Sequence, residues 1–180
     1  MKIIKILLLI ILGFILLMGG ALLYNIFAPV KAVCAGYTEN FIVPRPHGTV
    51  CILHYPSPLK NRIRKELARD LNARSYNVIT DIISNASAYQ IEDYNAVILL
   101  SEVQGFNPPA IASSFIKRSA YSPKIVYSST FARINHPYGI ALNKKRIDAI
   151  TASSPVTDTD SEKALIQKIL ERTLLVLEPD

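Results

Sequence analysis

The stretch Thr49-Val50-Cys51-Ile52-Leu53-His54-Tyr55, followed closely by Ser57-Pro58, decides the fold of this chain. A nearly continuous apolar run of this length is typical of a central strand that is buried on both faces of a sheet. Ser57 is suited to cap a helix, and Pro58 is suited to the first helical position. A buried strand that leads directly into a helix predicts an α/β fold.

The same alternation of strand and helix continues to the end of the chain. Further strand-like runs occupy residues 76–83, 95–101, 124–128 and 146–151, while helical patterns begin near Asn107-Pro108-Pro109 and Thr159. Residues 84–94 leave room for only a short helix. Strands that alternate with helices imply right-handed crossovers and a three-layer, doubly wound parallel sheet. Residues 49–178 are therefore predicted to form one domain around five strands.

The helix that starts at Ser57 has an amphipathic pattern. Its apolar residues recur every four positions at Leu59, Ile63, Leu67 and Leu71. Its basic residues lie between them at Lys60, Arg62, Arg64, Lys65 and Arg69. The pattern predicts a helix with a basic face towards solvent.

The N-terminal part of the chain has the character of a membrane anchor. Residues 6–27 are apolar or small except for Tyr24 and Asn25, and they follow a short tail at residues 1–5. A helix over this run rises roughly 33 Å, which matches a hydrocarbon core roughly 30 Å thick. The run exceeds the apolar region of a cleaved signal peptide, the alternative interpretation. Residues 28–48, with three prolines, are predicted to be a linker.

The charges around the anchor predict its orientation. Lys2 and Lys5 precede the apolar run and Lys31 follows it. The positive-inside rule then places the N-terminus in the cytoplasm and the C-terminal domain outside the cell membrane. The formal net charge is +6, and these three lysines account for half of it. The remaining excess is too small to predict nucleic acid as a partner.

Motifs for enzymatic or metal chemistry are missing from the sequence. It contains no GxSxG, GxxxxGK[ST] or GxGxxG pattern and no CxxC pair, so no metal site is predicted. Whether Cys34 and Cys51 form a disulfide stays open. His54 lies near the carboxyl end of the first strand, but no partner for a general base is evident.

Residues 91–101, with the sequence IEDYNAVILLS, resemble the acidic-Tyr-Asp lead into the third strand of flavodoxin-like proteins. The next stretch, Asn107-Pro108-Pro109-Ala110-Ile111, resembles the proline-containing start of the following helix in that family. The similarity extends over residues 48–178. It implies a flavodoxin-like sheet with strand order 2-1-3-4-5 and an FMN site at the carboxyl ends of the strands.

The same resemblance assigns the cofactor-binding residues. Residues 55–61 would form the phosphate loop, and residues 102–107 and 129–139 would contact the flavin ring. The candidates for binding FMN are Ser57, Asn61, Ser101, Gly105, Phe106, Ser128, Ser129, Thr130 and Tyr138. The phosphate loop departs from the family because it lacks glycine and because its two prolines have no N–H to donate.

Two functions remain open at this stage. One is a membrane-anchored, flavin-free binding or assembly module that contacts a membrane protein through the crevice or the basic helix. The alternative is an FMN-binding electron-transfer protein that serves a membrane redox partner. The degenerate phosphate loop favours the first function, and the family resemblance favours the second.

Overall fold

The structure is a computed structural model of the chain of 180 residues. It describes residues 38–102, 108–131, 140–142, 145–147, 149–153 and 159–178, together with residues 11, 13, 14 and 16–20. The chain divides into two compact units, Met1–Val33 and Cys34–Asp180.

In the first unit, residues 11, 13, 14 and 16–20 are helical. The other residues of the predicted anchor at 6–27 lie outside the described residues, as do the tail at 1–5 and residues 28–37. Within the part of the chain that the structure describes, no helix combines the length and the apolar character needed to cross a membrane.

Strands and helices alternate along the described part of the second unit, which confirms the predicted α/β class. The strands are β1 (Glu39–Phe41), β2 (Gly48–His54), β3 (Tyr76–Ile82), β4 (Ala96–Glu102), β5 (Ile125–Phe131), β6 (Ile140–Leu142), β7 (Lys145–Ile147) and β8 (Ala149–Ser153). The α-helices are α1 (Pro58–Ala73), α2 (Ala110–Arg118) and α3 (Thr159–Leu177). Two short 3₁₀ helices, Ile83–Ala88 and Ile91–Asp93, connect β3 to β4.

The main sheet has six strands in the order β1-β3-β2-β4-β5-β8. Its neighbouring strands from β3 to β8 pair in parallel, whereas β1 pairs with β3 antiparallel. The complete order differs from the predicted five-stranded order because β1 adds an antiparallel strand at the edge.

Two boundaries predicted from the sequence are wrong. The linker predicted at residues 28–48 contains β1, and Gly48 already belongs to β2. The fifth strand predicted at residues 146–151 is divided between β7, which pairs with β6 in a separate two-stranded sheet, and β8, which joins the main sheet. Both differences arise where strands are only three to five residues long, too short to show a period.

The core has two halves, one on each face of the sheet. On one face Ile52 of β2 and Ile98 of β4 pack with helices α1 and α3. On the other face Leu53 and Leu99 of the same strands pack with Phe115 of α2 and with the 3₁₀ segments. Successive residues of a strand point to opposite faces, so a strand buried on both faces must be apolar throughout. Both layers therefore depend on β2 and β4.

Helix α1 begins as predicted, but its basic face is partly internal. The Ser57 side chain caps the helix and Pro58 occupies its first turn. Lys60 and Arg64 are buried, so the prediction that they face solvent is wrong. Each stands three residues before an apolar residue of the stripe, Ile63 or Leu67, and residues three apart share a helix face.

Arg64 connects α1 to the edge of the sheet. Its Nη1 donates to Glu39 Oε2 at 2.9 Å and to Thr80 Oγ1 at 2.8 Å. Its Nη2 donates to Asn61 Oδ1 at 2.8 Å. Since the Arg64 side chain is only 1% exposed, its charge depends on these partners rather than on water. The ion pair between Arg64 and Glu39 thus holds the short strand β1 in place, in addition to its backbone pairing with β3.

We expect Glu39→Ala to loosen β1 without disturbing the centre of the sheet. The change leaves a buried guanidinium without its carboxylate, at a cost of about 2 kcal/mol. Amide hydrogen exchange should become faster at Asn40 and Phe41, while β2 keeps its protection. Glu66→Ala, which removes an exposed ion pair with Arg69, is the matched control and should cost less than about 1 kcal/mol. Unchanged exchange in β1 would contradict the role assigned to Arg64.

A second buried charge orders the segment after β3. Asp81 accepts hydrogen bonds from the hydroxyl of Tyr89 at 2.7 Å, from the Asn85 amide at 3.0 Å and from the backbone N–H of Ile82 at 2.7 Å. Burial alone would raise the pKa of Asp81, but these hydrogen bonds outweigh it and hold the pKa below its ordinary value. The Asp81 carboxylate therefore holds together a connection that is too short to form an α-helix.

Tyr89→Phe is expected to lower the free energy of unfolding near neutral pH by about 2 kcal/mol, because a hydrogen bond to a buried charge is lost. Asp81 stabilises the fold above its unfolded pKa of 3.8, and this contribution disappears as the pH falls through its lower folded pKa. The difference from wild type should therefore shrink in acid. Urea denaturation measures both effects. Tyr94→Phe serves as the control and should differ little from wild type.

Candidate functional site

The carboxyl ends of the parallel strands collect polar residues that are shielded from solvent. His54 ends β2, and the ends of β4 and β5 contribute Ser101, Ser128, Ser129 and Thr130, all of them buried. In open α/β sheets this edge forms the crevice in which ligands bind. Four of the residues predicted from the sequence thus meet at one edge of the sheet.

Strand pairing brings these residues into neighbouring rows. Ser101 is the partner of Ser129 in the register of β4 and β5. Leu100 lies between His54 on one side and Ser128 on the other. One residue beyond Ser101 and Ser129, Glu102 pairs with Thr130.

Alternation along the strands sends the hydroxyl groups to two different faces. Ser101 and Ser129 share the α2 face with Tyr127, whose hydroxyl lies 2.6 Å from Ser101 Oγ. Burial raises the pKa of Tyr127 to about 12, so this phenol stays protonated. Ser128 and Thr130 continue the face of Val126, which packs with α1 and α3. A single ligand does not contact all four hydroxyl groups from one side.

The predicted phosphate loop is largely occupied by its own hydrogen bonds. Ser57 Oγ accepts the backbone N–H of Lys60 at 3.3 Å, and the Ser57 carbonyl accepts the N–H of Asn61 at 2.9 Å. The Ser57 N–H is used as well, since it donates to the Tyr55 carbonyl at 2.8 Å. Pro58 has no N–H to donate. A phosphate would therefore find few free hydroxyl or backbone N–H donors around Ser57.

Asn61, the second residue predicted for this loop, is also engaged. Its Oδ1 accepts from Arg64 Nη2 at 2.8 Å and from Arg64 Nε at 3.2 Å. A phosphate contact through that oxygen would remove support from a buried guanidinium. The residues of this loop do not fit the phosphate of FMN, and this disagreement extends the departure already visible in the sequence.

Three of the residues predicted to bind flavin, Gly105, Phe106 and Tyr138, lie outside the described residues. Flavin binding by any of the predicted residues stays a prediction.

Lys60 is a functional candidate that was predicted to face solvent, whereas the structure buries it. It occupies the first turn of α1 and is 0% exposed, and its Nζ forms no hydrogen bond with the residues that the structure describes. Burial lowers the pKa of Lys60 to about 8, and the Glu102 carboxylate offsets only part of that shift. Its spacing from Ile63 was the signal that could have placed it inside. A buried amine with a lowered pKa and no partner among the described residues is a candidate for a functional site.

Two further buried atoms on the α1 face also lack a partner. His54 Nδ1 lies 3.1 Å from the Tyr55 carbonyl oxygen, which can only accept, so Nδ1 carries the proton. His54 Nε2 is therefore an acceptor, and it has no donor. Burial is the main cause that lowers the pKa of His54 and favours this neutral form. The Ser128 hydroxyl is likewise without a partner.

Metal and thiol chemistry find little support among the described residues. No group of three or more His, Cys, Asp or Glu side chains in this part of the chain is arranged to hold a metal ion. Cys51 is a free, buried thiol whose pKa is raised by burial. Cys34 lies outside the described residues, so its pairing stays open.

Comparison with known proteins gives a fold but no family. No family model and no curated protein matches the chain. The metal-soaked flavodiiron core of Flv1 from Synechocystis sp. PCC6803 is similar in structure, with a TM-score of 0.52 and 14% identity over 71% of this chain. Rubredoxin oxygen:oxidoreductase from the anaerobe Desulfovibrio gigas gives a TM-score of 0.47 and 9% identity over 73% of this chain.

This chain spans only 36% of the Flv1 core and 37% of the Desulfovibrio protein, about a third of each. At 14% identity the likeness to Flv1 concerns the fold alone. It supports a flavodoxin-like α/β fold for the described part of the second unit.

Lys60→Met is expected to change how stability depends on pH. The pKa of Lys60 is 10.5 in the unfolded chain and about 8 in the folded protein. Between these values the unfolded chain binds more protons, so the free energy of unfolding of the wild type rises with pH, by about 3 kcal/mol in all. The variant lacks this rise and is more stable near pH 7.

Urea denaturation from about pH 7 to about pH 10.5 measures the effect. Lys65→Met, on the exposed face of the same helix, should keep the wild-type rise. Parallel curves for wild type and Lys60→Met would show that Lys60 has an ordinary pKa.

Proposed function

We propose that this chain is a membrane-anchored binding or assembly module of flavodoxin-like fold that works without flavin. The observation that carries the proposal is the state of the first loop. Ser57 caps α1, Asn61 supports Arg64, and Pro58 offers no donor, so the elements that would hold an FMN phosphate serve the fold instead. Such a loop keeps its place at the edge of the sheet, but its polar groups are not free to hold the phosphate of FMN.

The membrane part of the proposal rests on the sequence. The apolar run at residues 6–27 has the length of a spanning helix. Lys2 and Lys5 before it favour a cytoplasmic N-terminus and an extracytoplasmic domain at the cell membrane. A reporter fused after Asp180 tests this orientation, and a cytoplasmic signal would reverse the assignment.

The partner we propose is another membrane protein. Arg62, Lys65 and Arg69 are exposed on the outer side of α1, although Arg62 and Arg69 are each paired with a carboxylate of this chain. The pair between Arg69 and Glu66 is exposed on both sides and contributes little to stability. The outer side of α1 can therefore meet an acidic surface at small cost to the fold.

The alternative is an FMN-binding electron-transfer protein that serves a membrane redox partner. The full chain, purified from membranes in mild detergent, is expected to show no flavin absorbance and no quenching of FMN fluorescence on titration. The physical reason is that a helix N-terminus binds a phosphate through free N–H groups, and the groups of this loop are engaged within the chain. Stoichiometric flavin in the native protein, or saturable FMN binding, would establish the alternative.

A further inference from the structure

Among the described residues, three buried polar atoms on the α1 face of the sheet edge form no hydrogen bond. They are Lys60 Nζ, His54 Nε2 and Ser128 Oγ. Native proteins satisfy nearly all buried polar groups, and each exception calls for an explanation. Three exceptions at the ends of neighbouring elements indicate a site that a ligand completes.

The chemistry of the three atoms specifies that ligand. The Lys60 ammonium offers only donors and carries a positive charge, whereas the Ser128 hydroxyl can donate or accept. Lys60 also lies in the first turn of a helix of 16 residues, where the dipole adds positive potential. A group with negatively charged oxygens is the natural complement.

Among the described residues, no carboxylate forms a hydrogen bond with the Lys60 ammonium. Glu102 acts on Lys60 electrostatically, yet the Lys60 ammonium forms no hydrogen bond with it. Water could supply hydrogen bonds but would not neutralise a buried charge. An anion satisfies both requirements.

We propose that the edge of the sheet beneath the first turn of α1 binds a small oxyanion, a phosphate or a carboxylate, through Lys60 and Ser128. The proposal deepens the proposed function, because it names a ligand for the flavin-free module. The side chain of Lys60 is fully buried, so only a ligand much smaller than FMN could contact its ammonium. His54 Nε2 can accept a hydrogen bond from a protonated oxygen of the same ligand. The site does not use the hydroxyl of Ser57.

Thermal unfolding of the full chain in detergent tests the proposal. Inorganic phosphate and acetate are the two probes, and sodium chloride at the same ionic strength is the reference. A ligand at ten times its Kd should raise the Tm by about 4 °C. A rise with phosphate alone identifies a phosphate site, and a rise with acetate alone identifies a carboxylate site.

Matched variants locate the effect. Lys60→Met should abolish the rise, and Ser128→Ala should reduce it. Lys65→Met removes one positive charge from the exposed side of the same helix and should keep the full response. If Ser128→Ala fails to fold, Lys60→Met and Lys65→Met still decide the question.

Two results would overturn the proposal. One is a wild-type Tm that neither anion changes beyond the chloride reference. The other is an equal rise in wild type and Lys60→Met. Neither result bears on the flavin content of the purified chain, so the anion site and the flavin-free function can fail separately.

Discussion

The burial of β2 on both faces is the constraint on which the other features depend. Its residues from Val50 to Leu53 are fully inaccessible to solvent, and the strand pairs with β3 on one side and β4 on the other. A strand in this position must be apolar, because its side chains alternate between two buried faces. The turn after His54 then fixes where α1 starts. The burial of β2 thus determines the position of both the first loop and the edge of the sheet.

The sequence was sufficient for the elements that carry a period and insufficient for those held by distant partners. Helix α1, helix α3 and the parallel strands from β2 to β5 follow from their apolar patterns. Strand β1 does not, because three residues carry no pattern and its position depends on Arg64, which is 25 residues away from Glu39. Lys60 and Arg64 were placed outside because charged residues are usually exposed, although their spacing already put them on the apolar face.

The site was predictable in position and not in detail. Polar residues after buried strands indicate the crevice, and alternation alone divides Ser128 from Ser129 between the two faces. Which of these groups lack partners depends on side-chain geometry, and no sequence pattern records that. The contrast between Lys60 and Arg64 illustrates the point. Both are buried on one helix, but Arg64 has Glu39, Thr80 and Asn61 as partners while the ammonium of Lys60 has none.

The position of β1 has a mechanical consequence. The chain passes from the N-terminal unit into the sheet through this strand, so tension along the polypeptide arrives first at its three pairs with β3. The ion pair between Glu39 and Arg64 then resists the separation of β1 before the hydrophobic core is loaded. A pull strong enough to break it releases the residues between β1 and β2 and leaves β2 paired. The domain can therefore yield to force at its edge while its centre stays folded.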